Sequence, residues 1–260
     1  MISKTIVLIT GGNAGIGYEI VKKIAIENPD THHVLMGTRS LAKGEAAHKS
    51  LGSPKNVTPV QLDIVSDDSI ATLQSHVSST YGRLDVLIHN AATAGRDADL
   101  MPEGKKIPGF RAEGKSIREI YAHVYNTNII SAAVLTESFE SLLHASSAPK
   151  VIFITSTLGS IGSLVKGFPL VGAPWYNSSK SAINYLTVYY ARKFPKWRVN
   201  AVCPGLNSTG LNEVPLSDET HPRNGAIRAV QLVLEKQEGE GTLGKDTATY
   251  SNKDQGIIEW

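Results

Sequence analysis

The sequence predicts an α/β fold, in which a doubly wound, mostly parallel sheet carries helices on both faces. Short and nearly continuous apolar runs, typical of strands buried on both faces of a parallel sheet, alternate with longer helical patterns. This alternation implies right-handed crossovers between parallel strands. The chain has 260 residues, a length that such folds often reach without splitting, and no repeat, low-complexity tail or linker divides it. We therefore expect residues 1–260 to form one domain.

The predicted elements follow one another along the chain. The strands are the apolar runs at residues 6–10, 33–37, 57–62, 84–88, 150–155 and 198–203. The helices are the patterned stretches at residues 15–27, 40–50, 66–80, 116–145, 174–194 and 222–236. Pro29 and Pro54 mark the first connections, and Asp67 and Asp68 stand where the macrodipole of the third helix favours acidic side chains.

Charge and composition argue against several classes of function. The formal net charge is +2 with both signs interspersed, so no basic stripe suggests a nucleic acid or an anionic membrane as partner. No apolar run approaches the roughly 20 residues of a membrane span, and the opening MISKTIVLIT turns polar too soon for a signal peptide. Cys203 is the only cysteine, which rules out an internal disulfide and fits a reducing compartment. We expect a cytoplasmic protein in which Cys203 is a small buried residue.

Other catalytic classes lack their motifs. The eight histidines are scattered, without an H-E-x-x-H or a Cys/His cluster, so we expect no metal site. A serine hydrolase is not expected either, because Ser156 lacks the G-x-S-x-G elbow.

Two segments are not explained by the scaffold. Residues 93–115 are rich in glycine, proline and charge, whereas residues 159–173 are glycine-rich but apolar. Both follow predicted strands, and ligands bind beyond the carboxyl ends of strands in such sheets. Ordinary surface loops are the alternative, but the apolar character of residues 159–173 favours a substrate wall or a partner surface.

A glycine-rich turn, TGGNAGIG, ends the first predicted strand. Its glycines are spaced G-x-x-x-G-x-G, and they leave no Cβ in the way of a pyrophosphate. The helix that follows would offer free N–H groups and a positive dipole end to the phosphates. A plain tight turn is the alternative, but the position at the first strand–helix junction favours a dinucleotide site. Its candidate cofactor-binding residues are Thr10, Gly11, Asn13, Gly15, Ile16 and Gly17.

The end of the second strand bears on the choice between NAD and NADP. NAD-binding proteins usually carry an acid here, which accepts hydrogen bonds from the ribose hydroxyls. This chain has Thr38 and Arg39 instead, and a guanidinium matches a 2′-phosphate. The sequence therefore predicts NADP(H), with a solvated surface arginine as the alternative.

The third and fourth strands end in further candidates. Asp63, followed by Ile64, could accept a hydrogen bond from the adenine amino group, although a helix-capping aspartate fits the spacing nearly as well. Asn90 and Ala91 close the fourth strand. Small residues at this point, Ala91 and Ala92, would let a ribose or a nicotinamide lie close to the backbone.

Tyr176 and Lys180 lie four residues apart behind a proline, so they share one face of the predicted helix. A phenol beside an ammonium could be a solvated surface pair or a proton donor with an adjusted pKa. The choice between these two interpretations depends on the other motifs.

Taken in order, these motifs resemble those of the short-chain dehydrogenase/reductase family. The matching pieces, which cover residues 5 to 210, are TGGNAGIG, LDI, NAA, NTNIIS, TSTLG, YNSSK and CPGLNST. The chain is most similar to the single-domain carbonyl-reductase or C-factor-like branch, to which the final GIIEW adds support. The resemblance implies a Rossmann-type sheet of about seven strands.

The resemblance also implies the catalytic roles. Tyr176 would be the general acid that protonates a carbonyl oxygen as hydride arrives, and Lys180 would hold the nicotinamide ribose and lower the pKa of the phenol. Ser156 would hydrogen-bond the carbonyl oxygen. Asn128 would hold a water in a proton relay reaching Lys180, with Asn126 as a rival whose spacing matches the family less well.

The loop after the sixth strand is assigned in the same way. Pro204, Gly205 and Thr209 would line the nicotinamide end of the cofactor. The chain departs from the family where Ala14 replaces a basic residue of several NADP-using carbonyl reductases, so Arg39 carries the NADP prediction nearly alone. Ser156 and Tyr176 are twenty residues apart, more than in many relatives, and the extra length falls in residues 159–173.

The expected function is NADPH-dependent reduction of a ketone or aldehyde on a bulky, apolar small molecule, in secondary metabolism. Alternatives are oxidation of a secondary alcohol with NADP⁺, reduction of an imine, and an NADP(H)-responsive binding or regulatory protein. A regulator has no need of all four catalytic residues, so the complete set favours an enzyme. Candidate pocket walls, each of which could equally be core, are Leu158, Phe168, Trp175 and Leu211.

The helix with the catalytic pair also carries an aromatic series. Such a series is more often core or subunit interface than active site, and in this family the helix often packs in a dimer. We therefore expect a homodimer or homotetramer. The residues concerned are Tyr185, Tyr189 and Tyr190.

Overall fold

The computed structural model describes residues 4–95, 115–171, 173–212, 214–236, 242–254 and 256–260. The described part of the chain contains seven strands, all paired in parallel in the order β3-β2-β1-β4-β5-β6-β7. They are β1 Thr5–Thr10, β2 His32–Thr38, β3 Val57–Gln61, β4 Val86–His89, β5 Lys150–Ile154, β6 Arg198–Val202 and β7 Tyr250–Ser251. This order confirms the predicted doubly wound sheet.

The helices connect these strands and cover the sheet on both faces. They are α1 Gly15–Glu27, α2 Leu41–Ser50, α3 Asp67–Tyr81, α4 Ile117–Tyr125, α5 Ser131–Ser138, α6 Glu140–His144, α7 Ile161–Val165, α8 Pro174–Lys193 and α9 Pro222–Leu234. Among these described helices, none is both long and apolar enough to cross a membrane.

Two apolar cores lie on the two faces of the sheet. Alternate residues of β1 divide between them, because successive side chains of a strand point to opposite faces. Leu8 packs in the core that joins α3, α5 and α8 to the sheet. Val7 and Ile9 pack in the core under α1 and α9. The strands are therefore apolar at nearly every position, as the sequence pattern indicates.

The prediction of one helix over residues 116–145 is wrong. A π-turn over Asn126–Ile130 separates α4 from α5, and Phe139, which is fully buried in the core, separates α5 from α6. The π-turn arises where the Ser131 N–H donates to the carbonyl of Asn126, five residues back. The Ser131 hydroxyl donates to the same carbonyl at 2.8 Å. The other predicted helices and strands end within two residues of the observed bounds.

The strand order turns at β1, whose neighbours β2 and β4 lead to opposite halves of the sheet. Loops leaving β1 and β4 therefore diverge and open a crevice beyond their carboxyl ends, which is where doubly wound sheets bind ligands. The residues that line this crevice include Thr10, Ile64, Ala91, Asn128 and Lys180, all of them candidates from the sequence.

Candidate active site

The glycine turn is shaped by the absence of side chains at three positions. Gly11 and Gly15 have positive φ angles of 65° and 55°. A Cβ on Gly17 would lie only 2.3 Å from the carbonyl oxygen of Gly11, so only glycine allows the first turn of α1 to pack on this loop. Ala14, the residue before α1, has a methyl side chain that cannot cap the helix. The first N–H groups of α1 are thus available to an anion.

Thr10 and Asn90 tie the end of β1 to the end of β4. The Thr10 hydroxyl oxygen accepts hydrogen bonds from the backbone N–H groups of Asn90 and Ala91, both at 2.9 Å. In return the Asn90 amide donates to the carbonyls of Thr10 at 2.9 Å and Gly11 at 3.2 Å. Both side chains therefore shape the floor of the crevice, and Ala91 provides its surface.

The loop after β6 reaches across to the glycine turn. The Asn207 amide donates to the carbonyls of Pro204 at 2.8 Å and Gly205 at 3.0 Å, and Gly205 has a φ of 76°. The Thr209 side chain then lies 3.6 Å from where a Cβ on Gly15 would be. These predicted cofactor residues, which lie about 190 positions apart in sequence, form one side of the same crevice.

At the outer end of the crevice, Asp63 is not a helix cap. Its carboxylate accepts from the Val65 N–H at 3.2 Å, whereas Ser66 caps α3 by accepting from the N–H of Ser69. The helix-capping interpretation of Asp63 is therefore wrong. Thr38 is buried and its hydroxyl donates to the carbonyl of Ser40 at 3.0 Å, so Thr38 shapes the turn from which the exposed Arg39 projects.

Lys43 is a cation that the sequence interpretation missed. It lines a surface cleft together with Asn13, Ala14 and Gly15 of the glycine turn. The helix that carries it packs closely, since a Cβ on Gly44 would lie 2.6 Å from the Thr38 side chain. The available signal was its position four residues after Arg39, near the start of the predicted helix. Arg39 follows Gly37 by two residues, and the carbonyl of Gly37 accepts from the N–H of Gly12 at 2.9 Å, so two cations lie near the glycine turn.

The catalytic candidates meet where β5 and α8 come together. The Lys180 ammonium lies 5.5 Å from the ring centroid of Tyr176 and donates to the carbonyl of Ile154 at 2.8 Å. The Ser156 side chain lies close enough to the Tyr176 phenol to lower its pKa. The four-residue spacing on α8 and the strand end at β5 thus bring the three predicted residues together. The surface-pair interpretation is wrong, because Lys180 is only 4% exposed.

Burial dominates the electrostatics of this group. It raises the pKa of Tyr176, the charge of a Cys203 thiolate raises that pKa further, and the Ser156 side chain lowers it. Burial also lowers the pKa of Lys180 to about 8, against an opposing effect of Cys203. In the chain itself the pKa of the phenol is therefore raised and not lowered as expected, because a buried phenolate loses its hydration, and Lys180 is not among the groups that shift it.

Asn128 lies at the centre of the π-turn, and both the oxygen and the nitrogen of its side-chain amide are hydrogen-bonded within the protein. Its amide oxygen accepts from the Thr93 N–H at 2.8 Å, and its NH₂ group donates to the Thr93 carbonyl and the Ser179 hydroxyl, both at 2.9 Å. It therefore anchors the segment after β4 to α8, next to Lys180.

Cys203 is buried, as predicted, but it also has polar contacts. Its sulfur accepts from the Thr157 N–H at 3.2 Å and lies 3.0 Å from the Thr157 hydroxyl. It thus supports the turn that follows Ser156 from behind.

The candidate pocket walls divide between core and surface. Trp175 is buried against Ile120 and Val124, and its indole N–H donates to the carbonyl of Ala94 at 3.1 Å. It is therefore core, and it holds the loop after β4 in place. Phe168 is partly exposed beside α7. Most of the other unexplained segment, residues 96–114, lies outside the described residues.

The aromatic series on α8 also divides. Tyr190 is buried in the core between Phe153 and Phe194, whereas Tyr185 and Tyr189 stack on each other at the surface with ring centroids 6.4 Å apart. Within the described ranges, no group of three or more histidine, cysteine, aspartate or glutamate side chains is arranged to hold a metal ion.

Comparisons with known proteins agree with this geometry. The family described as short chain dehydrogenase matches residues 5–220. A short-chain dehydrogenase/reductase of Stachybotrys chlorohalonatus is 34% identical over 248 residues, which cover 92% of this chain and 86% of the relative. Salutaridine reductase of Papaver somniferum is 27% identical over 302 aligned positions, covering 94% of each chain. The fold of NADPH-bound carbonyl reductase from chicken fatty liver superposes with a TM-score of 0.78 at 21% identity, covering 100% of both chains.

Proposed function

Because the chain belongs to the short-chain dehydrogenase family of oxidoreductases, we propose that it reduces a ketone or aldehyde of a bulky, apolar small molecule with NADPH. The observation that carries the proposal is the meeting of Ser156 and Tyr176 with Lys180, which lines the crevice beyond the strand ends. The reductase activities named for salutaridine reductase and carbonyl reductase support the direction of the reaction.

The residues present fit a dinucleotide phosphate. Gly15, with a φ of 55°, keeps the backbone of the turn free of a side chain just before α1, and the N-terminus of α1 offers N–H donors to a pyrophosphate. Arg39 and Lys43 offer charge near the position expected for a 2′-phosphate. When bound, the nicotinamide cofactor supplies the hydride.

The chain's own groups supply the proton. Hydride addition leaves negative charge on the carbonyl oxygen, toward which Tyr176 donates its phenolic proton. Ser156 donates a hydrogen bond to the same oxygen, where charge develops. Lys180 in its ammonium form stabilises the phenolate that remains. Because its pKa is about 8, near working pH, it can then return a proton to the phenolate and take a new one from solvent. Any water relay involving Asn128 would use its backbone, because its side chain is engaged.

The function is tested by mixing the purified protein with NADPH and a panel of bulky and small carbonyl compounds. We expect oxidation of NADPH with at least one bulky ketone, and the corresponding alcohol as product. Turnover of secondary alcohols with NADP⁺ alone would favour the oxidative alternative. Tight NADPH binding without turnover of any compound would favour the regulatory alternative.

The preference for NADPH over NADH should depend on the two cations near the glycine turn. We expect the double substitution Arg39→Ala and Lys43→Ala to raise KM for NADPH at least about tenfold, since a charge-assisted bond to phosphate is lost at each position. KM for NADH should stay nearly unchanged. Lys49→Ala is the matched control, because Lys49 is an exposed lysine at the far end of the same helix. An equal effect on both cofactors would contradict the 2′-phosphate assignment.

We also propose that the chain forms a homodimer or homotetramer in the cytoplasm, with the stacked pair Tyr185 and Tyr189 in a subunit contact. Their exposed rings offer the aromatic surface that interfaces favour. We expect size-exclusion chromatography with light scattering to show a dimer or larger species that Tyr185→Lys weakens. A clean monomer at micromolar concentration would contradict this assignment.

A further inference from the structure

The segment between Ser156 and Tyr176 presents an apolar face to solvent. Helix α7 makes a single turn within it, and Ile161, Leu164 and Val165 share one side of that turn. These side chains are 63%, 44% and 81% exposed, respectively. A cluster of large exposed apolar side chains on a structured element indicates a surface that binds something.

The opposite side of α7 rests on residues 256–260, which we call the return segment. The N–H of Gly162 donates to the carbonyl of Trp260 at 2.7 Å, and the hydroxyl of Ser160 donates to the carbonyl of Glu259. Lys166 completes the contact with an ion pair to the Glu259 carboxylate. Gly162 and Lys166 are four residues apart, so they share one side of the turn, across from Leu164.

The contact between α7 and the return segment leaves no room for a side chain at Gly162. A Cβ on Gly162 would lie 2.9 Å from the Cβ of Glu259 and 3.1 Å from the carbonyl oxygen of Trp260. The glycine therefore allows the return segment to approach the backbone of α7 directly, and the position of α7 depends on where that segment lies.

The return segment is itself held by the edge of the sheet. Asn252 accepts from the N–H groups of Asp254 and Gly256, which reverses the chain after β7. Ile257 then pairs antiparallel with Ser251, and the N–H of Ile258 donates to the carbonyl of Tyr250 at 2.7 Å. The reversal thus delivers residues 259 and 260 to α7 with a defined register.

Stacking connects the same segment to the catalytic turn. The Trp260 ring stacks on Tyr250 with centroids 5.4 Å apart. Tyr250 is fully buried in a small cluster with Cys203, whose sulfur accepts from the N–H of Thr157, next to Ser156. One packed series of contacts therefore runs from Trp260 to the serine of the proposed active site.

The residues just before α7 are also tied to α8, the helix of the acid. The carbonyl of Gly159 accepts from the hydroxyl of Ser181 at 2.8 Å and from the amide of Asn184 at 3.1 Å. A Cβ on Gly159 would lie 2.5 Å from the backbone of Lys180. The apolar face of α7 thus begins two residues after Gly159, which packs against the backbone of Lys180. Tyr176 lies on the same helix as Lys180.

We propose, building on the proposed function, that the return segment is a positioning element for substrate recognition. Glu259 and Trp260 hold α7 so that Ile161, Leu164 and Val165 form the wall for the apolar part of the substrate. The residues just before α7 are tied to the Cys203 cluster through Thr157 and to α8 through Gly159, so the position of the wall decides which carbonyl compounds can reach the acid. Cofactor binding, on the far side of the crevice, does not depend on it.

The test uses the full chain and compares Trp260→Ala and Glu259→Ala with the wild type. We expect KM for a bulky apolar ketone to rise about tenfold, in the range of one lost hydrophobic pocket contact. KM for a small ketone, kcat and KM for NADPH should stay within about twofold. Trp260→Phe, which keeps an aromatic ring on Tyr250, should restore most of the preference for the bulky ketone.

The matched control is Glu27→Ala, because Glu27 also forms an exposed ion pair, with Lys23 on α1. It should leave the substrate preference as in the wild type. Equal losses on bulky and small ketones, or a fall in kcat that follows the melting temperature, would show a merely structural role and overturn the proposal. An unchanged preference in both Trp260→Ala and Glu259→Ala would overturn it as well.

A second measurement separates this proposal from the proposed function. Hydrogen–deuterium exchange needs no substrate, and we expect the amides of α7 to exchange faster in Trp260→Ala than in the wild type. Unchanged exchange would contradict the positioning of α7 by the return segment. A wild-type protein that reduces no carbonyl would refute the proposed function and the substrate wall, while the exchange result would still decide the positioning.

Discussion

Substituting phenylalanine for Tyr176 is expected to lower kcat for carbonyl reduction by about 10²–10⁴, the contribution that a positioned general acid makes. The substitution removes only the phenolic hydroxyl, and the ring can keep its packing beside Lys180. KM for NADPH should therefore change little. Initial rates at saturating NADPH, with the bulky ketone identified in the panel, give the comparison.

Tyr185→Phe is the matched control, since Tyr185 lies on the same helix but is exposed. It should keep the rate of the wild type. Retention of wild-type kcat by Tyr176→Phe would show that another group protonates the product, and the proposed mechanism would then be wrong.

Replacing Lys180 by methionine should have the next largest effect. It should lower kcat and change how the free energy of unfolding depends on pH. The variant loses the cation that stabilises the phenolate, and we expect kcat to fall by at least about 10²-fold. Methionine keeps a long unbranched chain in the buried position. Lys193→Met, an exposed change on the same helix, is the control and should keep kcat.

The same variant tests the lowered pKa of Lys180. In the folded chain this pKa is about 8, below the ordinary value of 10.5, so the unfolded state binds one more proton between these pH values. The contribution of Lys180 to the free energy of unfolding therefore rises from pH 8 to pH 10.5, by about 3 kcal/mol, and is lost as pH falls through 8.

Lys180→Met should remove that rise. The difference in free energy of unfolding, variant minus wild type, should fall with pH across this window when measured by urea unfolding. Lys150 also has a pKa lowered to about 8 by burial, and it contributes equally to both proteins, so the difference isolates Lys180. A difference independent of pH would contradict the lowered pKa.

Much of the fold could be predicted because its signals are local. The apolar runs predicted six strands to within two residues, and the glycine turn and the Tyr176–Lys180 spacing each lie within a few positions of sequence. The π-turn over Asn126–Ile130 could not be predicted, since one shifted hydrogen bond leaves the apolar pattern of the helix nearly unchanged. The hydrogen bonds between Asn128 and Thr93 could not be predicted from sequence either, because 35 positions separate the two residues.

The other features that the sequence did not predict depend on contacts between segments that are distant in sequence. The sequence allows Trp175 to be either pocket wall or core. Its hydrogen bond to the carbonyl of Ala94, 81 positions away, places it in the core. Lys43 could be recognised as a phosphate candidate only when the orientation of α2 toward the glycine turn was known. The return segment at residues 256–260 contacts α7 across about 95 positions, and the sequence pattern offered only a closing tryptophan.

Hydride transfer is the central claim, and isotope labelling tests it most directly. NADPH carrying deuterium at the reactive C4 position would be incubated with the wild-type chain and a bulky apolar ketone, and the product analysed by mass spectrometry. We expect deuterium on the new carbinol carbon of the product from the wild type, and almost no labelled product in the same time from Tyr176→Phe. An alcohol without deuterium, or equal labelled product from both proteins, would contradict the account.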